Sequence, residues 1–498
     1  GICNYLNKTE KGEIKVAIAF DCRNNSKSFA QIVADVFSAN KIKVYIFNQL
    51  RPTPELSFAV KVLNCNCGIV LTASHNPPEY NGYKVYWKDG GQIVPPIDKL
   101  LIEEINNVSF EEIKFNSNAN LIETIDELID DKFISSSIET GKVDKITDRE
   151  NIKIVFTSLH GTSSTIMPRV FEKIGYKNVL YVQEQMEPDG NFPTVESPNP
   201  EEKEALSLGL DLAKQNDADI VIGTDPDADR LGIAVKDLNN HYILLNGNQL
   251  MVIMIDFLLN NLKSENKLNT SQFIATTIVS TPLVGEIANY YNLDCKLCLT
   301  GFKWIAKMIE DYPKSSFLIG GEESYGMMIG NFVRDKDAIT ASLFACEIAN
   351  YLKQSGSSIF NNLIDIYIKH GLYKEELVSI TKKGKEGKIA IENIIDGFKN
   401  NPPKKIGGSE VISIYNYEKS QRIDLKTNRA IKINFPKSNV IEFNTANGTK
   451  VVLRPSGTEP KIKMYISVNI NLESKEQYLE KNDFLNNRIK AIIEEINL

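Results

Sequence analysis

Short apolar runs recur along this chain, each followed by a polar turn and then a stretch with helical periodicity. Ile14–Phe20 reads as the first strand, Asp21–Ser28 as a loop, Phe29–Asn40 as a helix and Lys43–Phe47 as the next strand. Another helix follows, then the buried run Cys67-Gly68-Ile69-Val70-Leu71. This is a βαβ succession. After the polar, acidic stretch 139–150 the alternation restarts with strand Ile152–Phe156, helix 166–175, strand Val179–Val182, helix 200–215 and strand Asp219–Gly223. A third round runs from Phe273–Val279 to a helix over 338–354. From about 373 the pattern becomes a helix and then strands, including Asn439–Phe443 and Lys450–Leu453 joined through the hairpin signal Asn447-Gly448. Lys461–Val468 and a terminal helix from about 473 complete it. The predicted class is α/β, with three consecutive α/β mixed-sheet domains over 1–140, 141–260 and 261–372, and a C-terminal α+β domain over 373–498.

Composition narrows the function. With 498 residues, 42% of them hydrophobic, the chain can bury several cores. A net charge of -7 and the lack of any Lys/Arg cluster interleaved with aromatics argue against a nucleic-acid partner. No apolar run reaches the roughly 20 residues of a membrane helix, and no charged stretch with an apolar core opens the chain, so a cytoplasmic protein without a membrane partner is expected. Neither Cys65/Cys67 nor Cys295/Cys298 has a matching pair at zinc spacing, and the cysteines read as buried thiols.

Four polar segments carry candidate chemistry, three of them directly after an apolar strand, where open α/β sheets bind ligands. Thr72-Ala73-Ser74-His75-Asn76-Pro77 places a hydroxyl nucleophile in a turn that the prolines keep from continuing as strand or helix, with His75 and Lys84 as nearby groups able to move protons. Asp225-Pro226-Asp227-Ala228-Asp229-Arg230 follows Ile220-Val221-Ile222. Its alternate carboxylates can converge on a hard cation such as Mg²⁺. An EF-hand is excluded, because Arg230 and Lys236 occupy the slots that need Gly and Glu. A haloacid-dehalogenase nucleophile pattern is closer, but Asp229 sits badly in its last slot. Gly321-Glu322-Glu323-Ser324-Tyr325-Gly326 offers a carboxylate and a hydroxyl suited to vicinal sugar hydroxyls. Downstream, Lys336 stands between Asp335 and Asp337. Finally, the loop Arg454-Pro455-Ser456-Gly457-Thr458-Glu459-Pro460-Lys461 combines a guanidinium, two hydroxyls and a glycine, which suits a phosphate.

Taken together and in this order, the four motifs resemble the α-D-phosphohexomutase family, in particular its phosphoglucomutase and phospho-sugar mutase branch, over essentially the whole chain. The resemblance implies four domains around a central cleft, the last of them TATA-box-binding-protein-like. It implies a reversible O1-to-O6 phosphoryl shift through glucose 1,6-bisphosphate, which is both intermediate and activator, with sugar phosphates as small-molecule partners. Ser74 would be the phosphoserine and, through its phosphate, a metal ligand beside Asp225, Asp227 and Asp229; Mg²⁺ would be the cofactor. Arg230, Thr300, Gly301, Lys303, Glu322 and Ser324 would meet the sugar, and Arg454, Ser456, Gly457, Thr458 and Lys461 the distal phosphate. Lys84 and Lys336, with His75 as second choice, would transfer protons, one lysine having its pKa lowered by burial and neighbouring cations. The Glu-Glu-Ser form of the sugar motif resembles the glucose-selective branch, so glucose 1-phosphate is expected ahead of mannose or pentose phosphates. A sugar-phosphate-binding regulator on the same fold is the non-enzyme alternative. Family members usually begin with a Gly-Thr-x-Gly-x-Arg loop that does not precede Gly1 here, so an incomplete first domain is expected.

Overall fold

A computed structural model describes residues 1–146, 148–382, 384–456 and 460–496. They form two compact units, Gly1–Thr276 with Gly301–Asn361, and Thr277–Thr300 with Asn362–Leu498. Among the described residues no helix is long and apolar enough to cross a membrane.

The first unit contains three sheets of the same design. In the first, strands Cys67–Leu71, Lys15–Phe20, Lys43–Ile46 and Ile122–Thr124 run parallel, and Tyr83–Trp87 closes one edge antiparallel. The central strands are buried along almost their whole length, as a parallel sheet covered by helices on both faces demands. The second sheet pairs Ile154–Thr157 in parallel with Val179–Tyr181 and Ile220–Thr224, and adds Leu231–Lys236 and Tyr242–Leu245 antiparallel. In the third, Gln272–Thr277 and Ser316–Glu322 are parallel and Gly326–Ile329 returns antiparallel. Each sheet therefore ends one buried parallel strand in a turn and sends the chain straight back beside it. That device sets the sites: the turns are 72–82, 225–230 and 323–325.

Helix Ser26–Ala39 starts three residues earlier than its periodicity predicts, because Asn25 adopts a left-handed φ of 67° and turns the chain directly into the helix. The second unit carries a larger departure. Residues from about 373, read as helix, belong to the strand Leu372–Thr381, which pairs antiparallel with Lys461–Ile470 over ten positions. The charged run Lys374-Glu375-Glu376 hides a strand in sequence, and long-range pairing overrides local propensity. The helix follows instead at Gly384–Asn400. It and Tyr478–Ile496 pack on an antiparallel sheet that also contains Lys450–Pro455, Ile441–Thr445 and Ser409–Asn416.

Candidate active site

Ser74 leaves the strand Cys67–Leu71 in a left-handed conformation, φ 53°, which costs a non-glycine residue about 1–2 kcal/mol. The strain is offset from a distance of fifty residues. The buried Arg23 guanidinium donates to the carbonyls of Ser74 (2.6 Å), Pro77 (2.8 Å), Tyr80 (3.0 Å) and Asn76, lies 3.3 Å from Asp21, and is covered by the Phe192 ring. Arg23 thus holds the whole Ser74 turn by charge-assisted bonds, each stronger than a neutral one. Locally, Thr72 Oγ1 accepts the Ser74 N–H at 2.9 Å. A Cβ on Gly82 would come within 2.5 Å of the Thr72 carbonyl, so the returning strand can approach only as glycine. The serine hydroxyl is left pointing at the second motif: Ser74 Oγ donates to Asp225 Oδ2 at 2.7 Å and stands 3.1 Å from His75 Nδ1.

Asp225, Asp227 and Asp229 are buried, and one oxygen from each lies within 4.8 Å of the others. The turn alternates them inward because the Ala228 N–H bonds back to Asp225 O (2.9 Å) and Ala228 takes a φ of 55°. Asp225 Oδ1 accepts the N–H groups of Asp229 and Arg230, both at 2.9 Å. From the start of the helix Thr53–Val62, Thr53 donates both its N–H (to Asp227 O, 2.9 Å) and its hydroxyl (to Asp227 Oδ2, 2.8 Å). Asp227 Oδ1 and Asp229 Oδ1 remain buried without any hydrogen-bond partner. Orphaned carboxylate oxygens in a cluster of three acids are what a hard divalent cation satisfies, so the residues present fit a metal ion.

Two lysines border this cluster. Lys84 is opposite Val70 in the first sheet, and its Nζ reaches Asp227 (2.7 Å) and Asp229 (3.2 Å). Lys336 Nζ reaches Asp229 at 3.1 Å and lies over the Phe302 ring. Its stem runs across Gly326, where a Cβ would meet Lys336 Cδ at 2.3 Å. Asp337, next to it, caps the helix Ala338–Gln354 by accepting from the Ile339 and Thr340 N–H groups, which explains why a lysine between acids is structurally fixed here.

The expectation of a lowered lysine is overturned. Burial alone would lower Lys84, but Asp227, Asp229 and Asp335 outweigh it, and the ammonium is held above its ordinary range. Lys336 behaves the same way through Asp229, Asp335 and Glu322. Both are charged acids in this site. His75 is pulled down to about 4, by burial first and then by Arg230, and is neutral near pH 7. Burial, followed by the charges of Asp229 and Asp227, pushes Asp225 well above the usual carboxylate range. Although burial also acts to raise Asp227 and Asp229, Lys84 holds the first below that range, and Lys336 and Lys84 hold the second below it.

The third motif joins through backbone. Leu231 N–H donates to Tyr325 O (3.1 Å), and Arg230 bridges to Gly326. Glu322 is buried and pushed up to about 7, by burial against the opposing pull of Lys336. Ser324 is half-buried, and Arg230 pairs with Glu201. Gly301 caps the helix Phe302–Asp311, and Lys303 lies near the Trp304 ring. Within the first unit the structure therefore brings together Ser74, His75, Lys84, the three aspartates, Lys336 and Glu322.

In the second unit Thr300 is half-buried. Arg454 and Lys461 stand near the ends of two paired strands, Lys450–Pro455 and Lys461–Ile470, and the Ser456 N–H closes the loop onto Lys461 O at 2.7 Å. Gly457 and Thr458 lie outside the described residues.

Arg23 and Thr53 escaped the sequence reading, as did the Asp335 cluster, in which Tyr86 and Gln92 both donate to Asp335 Oδ2. A signal for Arg23 existed: the loop Asp21–Ser28 follows the first parallel strand, at the same sheet edge as Ser74.

Models of the phosphoglucomutase/phosphomannomutase alpha/beta/alpha domains I, II and III match residues 1–112, 131–239 and 246–367 in turn. The chain is similar to a phosphoglucomutase of Staphylococcus epidermidis, 37% identical over 476 residues and covering 94% of this chain and 85% of that protein. It is 38% identical over 478 residues to a phosphoglucomutase of Staphylococcus aureus, covering 94% and 84%. In fold it is similar to the solved open form of parafusin, a phosphoglucomutase from Paramecium, with a TM-score of 0.72 at 19% identity, covering 100% of this chain and 90% of that one.

Proposed function

This chain belongs to the phosphoglucomutase/phosphomannomutase family, the α-D-phosphohexomutases, and from that membership we propose that it interconverts glucose 1-phosphate and glucose 6-phosphate by way of a phosphoryl group carried on Ser74. The observation that carries the reading is the Ser74 hydroxyl, locked by Arg23 in a strained turn and aimed at Asp225.

In this reading the bond between phosphorus and Ser74 Oγ breaks as a bond to the free sugar hydroxyl forms. The proton lost by that hydroxyl ends on Ser74 Oγ, so the transfer needs no outside base. Glucose 1,6-bisphosphate results. When it turns over, Ser74 Oγ takes the other phosphoryl group and its proton moves to the departing sugar oxygen. Phosphoryl transfer asks a protein chiefly for position and charge neutralisation. Lys84 and Lys336, both cationic, supply donors beside Ser74 and can pass the proton between the two oxygens. His75, neutral, stands 3.1 Å from the serine oxygen in its unphosphorylated form, where its ring N–H can donate while the hydroxyl donates to Asp225. Mg²⁺ held by Asp225, Asp227 and Asp229, with the Ser74 phosphate completing the set, would add Lewis-acid neutralisation of the moving group.

Residues 1–140 then carry the phosphoserine, 141–260 the metal ligands, 261–372 the sugar readers and 373–498 the distal phosphate loop. Glu322 and Ser324 suit the sugar hydroxyls, with Arg230, Thr300, Gly301 and Lys303 around them. Arg454, Ser456, Gly457, Thr458 and Lys461 suit the phosphate that is not reacting.

A coupled assay of glucose 1-phosphate conversion, with and without trace glucose 1,6-bisphosphate, tests the proposal. Turnover that rises with the bisphosphate and exceeds that on mannose 1-phosphate is expected. Equal efficiency on mannose 1-phosphate would remove the glucose assignment, and absence of turnover on any hexose phosphate would favour a binding protein.

A further inference from the structure

Outside the aspartate site, a cavity of about 620 Å³ is lined by Lys61 of the helix Thr53–Val62, by the run Gln92–Ile97 and by Arg334. Its walls are of two kinds. Trp87 and the residues Ile93 to Ile97 are apolar; the rest is polar, with four cations, Lys61, Lys88, Lys307 and Arg334, against two carboxylates, Asp89 and Glu310. Lys61 and Arg334 both donate to the same acceptor, the Asn331 carbonyl, so their heads lie side by side. The other partner of Lys61 is again a backbone carbonyl, Phe332 O at 3.0 Å. Arg334 is 9% exposed, and its Nε is buried with no hydrogen-bond partner. The carboxylate nearest its guanidinium, Glu310, stands 3.3 Å away with 47% of its side chain exposed, so that pairing is weakened by solvent.

Two cations converging on one neutral oxygen repel each other, and the carboxylates of Glu310 and Asp89 offset this only in part, so a further anion is favoured there. Burial, with Arg334 beside it, already pulls Lys61 down to about 8. The volume suits a small organic ligand rather than a bare ion, since pockets for such ligands run from about 300 to 1,000 Å³.

We propose that this cavity is a second ligand site, for an organic anion whose carboxylate or phosphate head meets Lys61 and Arg334 and whose flat apolar body lies along Trp87 and the Ile93–Ile97 wall. The site adjoins the reacting centre without sharing its residues. Gln92, in the wall, donates to Asp335 at 2.7 Å, and Asp335 in turn lies 3.4 Å from Lys336 Nζ.

Isothermal titration calorimetry of the full chain with 1-naphthyl phosphate, 1-naphthoate and neutral 1-naphthol tests this. The catalytic site is kept saturated by a pre-equilibrated mixture of glucose 1-phosphate and glucose 6-phosphate. One-to-one binding of at least one anion is expected, with the tighter of the two naming the head group, and 1-naphthol about tenfold weaker or worse. Lys61→Met and Arg334→Gln should each weaken the anion about tenfold, the loss of one charge-assisted bond. Lys61 is half-buried, so Lys61→Met carries the test should Arg334→Gln melt early in a circular-dichroism scan. Failure of both anions to bind, displacement by added sugar phosphate, equal affinity for 1-naphthol, or unchanged affinity in the folded variants would overturn the proposal.

Discussion

The Ser74 turn and the Arg454–Lys461 loop are both short polar connections between strands, yet their described residues are held differently. Ser74 is fixed by partners far off in sequence: Arg23 grips its turn, and Asp225, 151 positions on, accepts its hydroxyl hydrogen bond. The described part of the loop at 454–461 is held mainly by its own two strands, with one bond from farther off, Lys382 N–H to Pro460 O at 2.9 Å. Its two strands pair directly, and the Ser456 N–H to Lys461 O bond closes its base. Arg454 and Lys461 are half-buried, where the aspartates are buried. In the proposed mechanism the difference has a use. Atoms that exchange a phosphoryl group must be placed to a fraction of an ångström, which long-range buried contacts provide, whereas a clamp that accepts either end of a sugar bisphosphate needs only charge and a shape.

Removing a ligand from the rigid region should cost most. Asp227→Asn is expected to lower kcat by about 10²–10³-fold, since one neutralised oxygen weakens a site of three carboxylates. Excess Mg²⁺ should restore it only partly; full activity without added metal would reduce the 225–230 segment to an acidic turn.

Arg23→Ala comes next, with kcat falling about 10–100-fold and stability by about 3–5 kcal/mol, because Asp21 is left buried and unpaired. Arg23→Lys should not rescue kcat, as one ammonium cannot span the carbonyls that the planar fork reaches. Thermal melts and steady-state kinetics read both effects, and wild-type kcat in Arg23→Ala would show that the turn holds itself.

In the 454–461 loop, Arg454→Gln should raise KM about tenfold and change kcat little, the mark of binding shared by ground and transition states. An equal fall in kcat would make the two regions one catalytic unit.

His75→Ala should have the smallest effect, about threefold or less. Because His75 is held near 4, it is neutral throughout pH 5–8, and no limb of the pH–rate profile in that window should vanish with it. Loss of such a limb would hand His75 the proton-transfer role given to the lysines.

The same contrast explains how much the sequence could tell. Contiguous motifs were legible: Ser74, the aspartates and Glu322 fall together as their strand placements imply, and Lys336 joins them from the loop before the helix Ala338–Gln354. The parallel strands were legible because their residues are apolar without interruption, as at Ile220–Thr224. Strand Leu372–Thr381 was not, since its charged run Lys374-Glu375-Glu376 reads as helix until its partner strand Lys461–Ile470 is known. Arg23, Thr53 and Gln92 were hidden for a related reason: each acts on a residue more than fifty positions distant, and no local pattern records such a contact. The charge state of Lys84 was likewise set by acids of another sheet, which reversed its expected shift.

The central claim is that Ser74, rather than Asp225, carries the phosphoryl group. Incubating the protein with glucose 1,6-bisphosphate bearing ³²P, then treating it with hydroxylamine and mapping the labelled peptide, tests this directly. Label on the peptide containing Ser74, stable to hydroxylamine and absent from Ser74→Ala, is the expected result; hydroxylamine-labile label on the peptide containing Asp225 would contradict it.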